Sequence, residues 1–246
     1  MDEQVGRFGR EVADRLLSVL GDGVVGVYFV GSVALGGYVA GESDIDIAAV
    51  CRRALDEDAK RFVVEAVELS LASCPARGLE FSLYAADVVS AAPHGADFEV
   101  NVNGGPRMEH VVRVDPEGQP AFWYILDRGI ARRSGVVIVG PAAAEVFGEV
   151  DRPSLLQAMA ESMRWHREHE RATFYSVLNA ARAWRFAETD ELGSKLEGAS
   201  WAARRWSHPA VIDAAVELRH GRRAHLDAAE VDELLEHVQQ VLAANR

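Results

Sequence analysis

The chain has 246 residues, 49% of them apolar, and carries 38 Asp and Glu against 26 Lys and Arg. A formal charge of −12 leaves no room for the basic track with which a polynucleotide binder displaces counterions, so a nucleic-acid partner is not expected; an acidic field instead concentrates small positive ligands. No apolar run approaches the roughly 20 residues of a membrane helix, and Met1-Asp2-Glu3-Gln4 is acidic where a secretory signal is basic, so a cytoplasmic protein without membrane attachment is expected.

Val5, Phe8, Val12, Leu16 and Leu20 recur at three- and four-residue steps, which predicts an amphipathic helix from about residue 3 to 20, stopped by Gly21-Asp22-Gly23. A strand at Val24–Val30 is expected next, then the turn Gly31-Ser32-Val33-Ala34-Leu35-Gly36-Gly37, then a strand at Asp44–Val50. Ala54 to about Ser73 has helical spacing through Leu55, Phe62, Val63, Val67 and Leu71. Leu79–Tyr84 alternates and predicts a third strand, with Glu80 and Ser82 on one face. From Pro93 to Pro120 the chain reads as loop, because Asn101-Val102-Asn103-Gly104-Gly105-Pro106 and Asp115-Pro116-Glu117-Gly118 are turn chemistry; Val111–Val114 is a short strand within it. Phe122 to Arg133 reads as helix and Val136–Val139 as a brief strand. Asp151 followed by Pro153 opens a further helix, and the rest is helical, with a boundary near Gly148–Asp151. Arg219-His220-Gly221-Arg222-Arg223 is expected to end a helix as a solvated face. Cys51 and Cys74 lie in or beside apolar segments and are expected to be reduced, buried thiols.

The chemistry concentrates between Gly31 and Asp46. Side chains alternate along a strand, so Asp44 and Asp46 point one way while Ile45 and Ile47 point into the core. Two adjacent carboxylates repel each other. Mg²⁺ removes the repulsion, and it favours one or two carboxylates completed by substrate phosphates. The turn at Gly31 and Ser32 offers backbone N–H groups and a hydroxyl to phosphate oxygens. The alternative readings are a solvated acidic turn for the two acids and a helix cap for Ser32. Lys195 stands out because Lys60 is the only other lysine; a retained ammonium suits a phosphate contact. Tyr175, Asn179 and Arg182 share one helix face, either a solvated stripe or a route for Arg182 to a ligand. Trp184 and Trp201 read as core, and His166 and His169 as solvated residues among Arg and Glu.

Gly31-Ser32, eleven intervening residues and Asp44-x-Asp46 resemble the signature of the polymerase-beta-like nucleotidyltransferases. The wider chain is similar to the aminoglycoside adenylyltransferases of the streptomycin/spectinomycin type, through Gly78–Tyr84, Ile130–Phe147, Arg182-Ala183-Trp184 and Ser194-Lys195. The resemblance implies an α+β fold. Residues 1–148 would form a nucleotidyltransferase domain with a mixed sheet and flanking helices. Residues 149–246 would form a helical domain that closes on substrate and ATP, with the active site in the cleft between the two. It implies an enzyme that transfers AMP from ATP to a hydroxyl of a small cationic acceptor. Mg²⁺ would sit on Asp44, Asp46 and Glu80, with Glu80 as third ligand or general base, and Gly31, Ser32, Lys195 and Arg182 would contact ATP.

The acceptor half departs from the family. No tryptophan precedes Trp123 where an aromatic drug contact is expected near Phe98–Pro106, and Glu161, Glu168 and Glu170 are the candidate drug-binding acids. A different acceptor, metabolite or protein, and a non-catalytic nucleotide-binding module are the rival readings; three intact carboxylates weigh against the module.

Overall fold

The first helix, α1 (Glu3–Leu20), begins where the Asp2 carboxylate accepts hydrogen bonds from the amides of Gln4 and Val5, satisfying donors that a helix start leaves orphaned. Its buried stripe is the expected one, Val5, Phe8, Val12 and Leu16. The computed structural model describes residues 2–92 and 94–246. Met1 and Pro93, where the acidic opening and the expected long loop begin, lie outside the described residues. The chain divides into two compact units, Met1–Val150 and Asp151–Arg246.

In the first unit the order continues as β1 (Val24–Phe29), α2 (Gly31–Ala34), β2 (Ile45–Cys51), α3 (Glu57–Leu71), β3 (Leu79–Ala85) and α4 (Ala86–Ala91). Then follow β4 (Val100–Gly105), β5 (Met108–Arg113), α5 (Ala121–Ser134), β6 (Val136–Val139) and α6 (Ala143–Val146). The six strands form one mixed sheet in the order β5-β4-β3-β2-β1-β6. Among the described residues only β2 and β3 run parallel, joined through α3; the other pairs are antiparallel. Val27, Phe29, Ile45, Ile47, Leu79, Phe81, Val100 and Val102 pack with the apolar stripes of α1 and α3 into one core. Burying such a side chain contributes roughly 1.5–3 kcal/mol each, which fixes that face of the sheet inward. Cys51 and Cys74 are buried free thiols, and burial pushes the Cys51 thiol up to about 12.

Three expectations for this unit need correction. Residues Asn101 to Gly105 are strand, not turn: Val100 and Val102 enter the core while Asn101 and Asn103 take the other face, and the reversal falls at Pro106-Arg107. α3 starts later than Ala54, because Asp56 caps it by accepting from the Ala59 amide. Phe62 does not belong to the buried stripe of that helix. It is 47% exposed, since Val63 and Val67 define the inward side and Phe62 lies about 100° round from Val63.

The second unit consists of α7 (Arg152–His169), α8 (Phe174–Thr189), α9 (Lys195–Ala203), α10 (Ala210–Arg219) and α11 (Ala228–Ala244). Asp151 caps α7 through the Ser154 amide and Pro153 occupies its first turn. Leu155, Leu156, Leu178, Phe186, Leu234, Leu235 and Leu242 form its interior. Trp184 and Trp201 are buried and meet edge to face at 5.3 Å, as expected of core residues. α8 and α9 touch backbone to backbone at Gly198, where a Cβ would lie 2.6 Å from the Arg182 Cα. The basic run after α10 is only partly a solvated face: Arg219 is 3% exposed, while Arg222 pairs with Glu217 at the surface. No helix among the described residues is long and apolar enough to cross a membrane.

Candidate active site

The turn after β1 and the acid in β2 are built as one piece. The Val30 amide donates to the Asp46 carbonyl at 3.0 Å, and the Ser32 amide donates to Asp46 Oδ2 at 3.3 Å. The Ser32 N–H, expected to hold phosphate, therefore orients the carboxylate here. Gly31 has φ +52, and a Cβ at this position would lie 1.9 Å from Asp46 Oδ2. Only glycine satisfies both constraints. Gly31→Ala is expected to cost about 1–2 kcal/mol from backbone strain alone, read as a lower midpoint of thermal denaturation; an unchanged midpoint would show that the turn yields freely. The Ser32 hydroxyl is buried and has no hydrogen-bond partner among the described residues, and it caps nothing there, since α2 lacks a side-chain cap.

The sheet register supplies what the sequence could not. In the parallel pair Asp46 lies opposite Glu80, and Glu80 lies opposite Asn103 on β4. Residues opposite one another share a face and sit about 4.8 Å apart from strand to strand. Asp46, Glu80 and Asn103 thus form a polar row on the face away from the α1–α3 core. The neighbouring row is Ala48, Ser82, Asn101 and Arg113. Asp44 immediately precedes β2, two positions before Asp46. Asp44 and Asp46 are half-buried and Glu80 is exposed, so a ligand can reach all three.

Asn101 ties the second row together. Its amide donates to the Phe81 carbonyl at 3.0 Å and to Ser82 Oγ at 3.2 Å, and its carbonyl accepts from Arg113 Nη1 at 3.1 Å. Tyr124 on α5 faces the same region. Burial pushes its phenol up to about 12, opposed by Arg113 and reinforced by Asp127 and Glu80. That phenol stays protonated at neutral pH and can donate but not act as a base. Asn103, Arg113 and Tyr124 were missed in the sequence. The period-two alternation Val100, Asn101, Val102, Asn103 was the signal that could have found the first of them.

Among the described residues no group of three or more His, Cys, Asp or Glu side chains is placed to hold a metal ion. Asp44, Asp46 and Glu80 are therefore not drawn into a three-carboxylate cage. A pair of carboxylates beside an orphaned hydroxyl still suits Mg²⁺ brought in with phosphates, which need only one or two protein oxygens.

Lys195 and Arg182 belong to the second unit. Lys195 is the first residue of α9, which opens with a capping box: Glu197 N donates to Ser194 Oγ at 3.2 Å and Ser194 N to Glu197 Oε2 at 2.8 Å. A cation there opposes the helix dipole, a local cost that a bound phosphate would reverse. Its ammonium sits 5.1 Å from the Tyr175 ring centroid. Lys60, by contrast, is used structurally, donating to the Val114 carbonyl at 3.1 Å beside Glu99.

The Tyr175–Asn179–Arg182 stripe is not solvated along its length. Asn179 Oδ1 accepts from Arg182 Nη2 at 3.2 Å, and Asn179 is buried against His166. His166 itself is 2% exposed, contrary to expectation: it lies on the α8 side of α7, between Asn179 and Glu170. His169 is exposed and stacks on Trp165 at 4.9 Å. Of the candidate drug-binding acids, Glu170 bonds His166, and Glu161 accepts from Gln157 at 2.6 Å.

Residues 145–244 match the family model described as aminoglycoside adenylyltransferase, C-terminal domain. The chain is 28% identical to an aminoglycoside (3'') (9) adenylyltransferase of Rhizobium radiobacter, an alignment covering 94% of this chain and 91% of the relative. A protein of the same description from Escherichia coli is 26% identical, over 98% and 92% of the two. Among solved structures, a spectinomycin adenyltransferase from Enterococcus faecialis, crystallised with ATP and spectinomycin, superposes with a TM-score of 0.71 at 15% identity. That match covers 94% of this chain and 97% of the other, and it carries the fold, an α+β mixed sheet followed by a helical region.

Proposed function

We propose that this chain, which belongs to the aminoglycoside adenylyltransferases, transfers AMP from ATP to a hydroxyl of a small cationic aminoglycoside of the streptomycin/spectinomycin type. One observation carries the reading. Asp46 and Glu80 stand side by side in one row of the sheet, and the glycine-serine turn is bonded onto the first of them.

Asp44 and Asp46 would hold Mg²⁺, which when bound neutralises charge on phosphate oxygens. The Ser32 hydroxyl has its missing partner in a phosphate oxygen. Glu80 takes the proton of the acceptor hydroxyl. That oxygen forms a bond to the α-phosphorus while the bond from the α-phosphorus to the bridging oxygen breaks, and pyrophosphate leaves with the electron pair. Tyr124 stays protonated beside Glu80 as a donor. Lys195 and Arg182 contact the nucleotide, which places charge and orientation where the transferred group needs them.

Lys195→Ala is accordingly expected to raise the ATP requirement by tenfold or more, about the worth of one charge-assisted contact, with the acceptor requirement nearly unchanged. Lys195→Arg should rescue poorly, because a planar guanidinium does not replace a compact ammonium. Steady-state kinetics in both substrates decide it, and an alanine variant with the wild-type ATP requirement removes Lys195 from the site.

A second reading keeps the chemistry and changes the acceptor. Arg113 and its Asn101 partner occupy the row beside Glu80, and a guanidinium there favours neutral or anionic substituents over a polycation. Purified protein, ATP and Mg²⁺ incubated with a panel of streptomycin, spectinomycin and related drugs should yield a product heavier by one AMP in mass spectrometry. Absence of any such product while ATP is still bound would establish the second reading.

A further inference from the structure

The buried polar residues of the second unit form a chain whose hydrogen-bond directions can be worked out from one end. Arg182 has no acceptor atoms, so the atom of Asn179 that meets its Nη2 at 3.2 Å must be the carbonyl oxygen. The Asn179 amide nitrogen then faces His166 Nε2, at 2.9 Å. A donor on that side obliges Nε2 to be the unprotonated nitrogen, so the proton of the neutral ring resides on Nδ1. Nδ1 lies 2.9 Å from Glu170 Oε2, a carboxylate that accepts it. Each link fixes the next, and removing the partner of a buried polar group leaves that group unsatisfied at a cost.

We infer that Glu170, His166 and Asn179 are positioning residues that present the Arg182 guanidinium to the nucleotide. Glu170 selects the tautomer of His166, the tautomer fixes which way the Asn179 amide points, and the amide oxygen holds one nitrogen of Arg182. His166 and Asn179 are 2% and 7% exposed, so neither needs to meet the ligand itself. The backbone around Arg182 is held as well, by the close approach of Gly198, which leaves the outer part of the side chain as the portion to be ordered. An arginine ordered in advance gives up less rotamer freedom on binding. The inference rests on the reading above in which Arg182 contacts ATP.

The test is ATP affinity at equilibrium, by titration calorimetry on the full chain with Mg²⁺, with thermal denaturation of each variant alongside. Asn179→Leu keeps the branched shape and the number of heavy atoms and removes both bonds, and is expected to weaken ATP binding about tenfold. In an Arg182→Ala background the same change should have no further effect. Asn179→Asp still offers an acceptor to Arg182 but sets a second acceptor against His166 Nε2, and should recover only part of the affinity. Should the leucine variant not fold, Glu170→Ala substitutes for it: that side chain is 34% exposed, and the expected loss is about threefold. Wild-type affinity in Asn179→Leu or Glu170→Ala accompanied by a lower melting temperature makes the chain merely structural and overturns the inference. So does a full additional loss in the Arg182→Ala background. If Arg182→Ala itself binds ATP like the wild type, the nucleotide contact of Arg182 is what fails, and the positioning role falls with it.

Discussion

Replacing Asp46 by Asn is expected to lower turnover by at least about a thousandfold, the several kcal/mol that a bound metal contributes to charge stabilisation, while the protein still folds. Asparagine keeps an oxygen for the Ser32 amide, which now bonds Asp46 Oδ2 at 3.3 Å, and it fits the space that only a glycine at position 31 leaves. What it removes is the negative charge. Asp44→Asn should behave alike, since the proposed function assigns Asp44 to the same metal. Pyrophosphate release with ATP and any accepted drug measures the effect, and the denaturation midpoint separates it from unfolding. Wild-type rates in both variants would eliminate the carboxylate pair as the metal platform.

Glu80→Gln is expected to cost roughly 10²–10⁴ in turnover with ATP affinity largely kept, the usual range for loss of a general base. Glu80 is exposed on β3 and opposite Asp46, so the amide disturbs neither the core nor the sheet ladder. A shifted Mg²⁺ requirement in place of a rate loss would return Glu80 to the metal's ligands, although no three-carboxylate group is assembled among the described residues. Unaltered kinetics in every respect would leave it a surface acid.

The sequence carried the helices with strong apolar periodicity and the acids of the motif, because both signals are local. Val5, Phe8, Val12 and Leu16 recur at the spacing of one helix face and occupy it. Ile45 and Ile47 flank Asp46 and are buried as alternation requires. What escaped was whatever depends on partners distant in sequence. Asn101 and Asn103 have turn-forming side chains, and only the pairing of β4 with β3 turns them into a polar wall beside Glu80. His166 sits among Arg and Glu in the sequence, and its burial is decided by Asn179 on the next helix. Phe62 fitted an apolar pattern yet lies outside the stripe that Val63 and Val67 bury. The neighbourhood of Asp46 and Glu80 is a matter of register, which no single strand encodes.

Asp46 and Glu80 stand on a parallel pair of strands, and parallel neighbours cannot be joined by a tight hairpin. Their alignment is instead delivered by the long excursion through α3, docked on the core by Val63 and Val67. The spacing of these two carboxylates is therefore hostage to a helix that packs on the opposite face of the sheet. Weakening of that docking would surface first as lost turnover on warming, below the temperature at which the molecule as a whole melts. Temperature-sensitive alleles of this protein would accordingly cluster on α3, at positions with no bearing on nucleotide or drug.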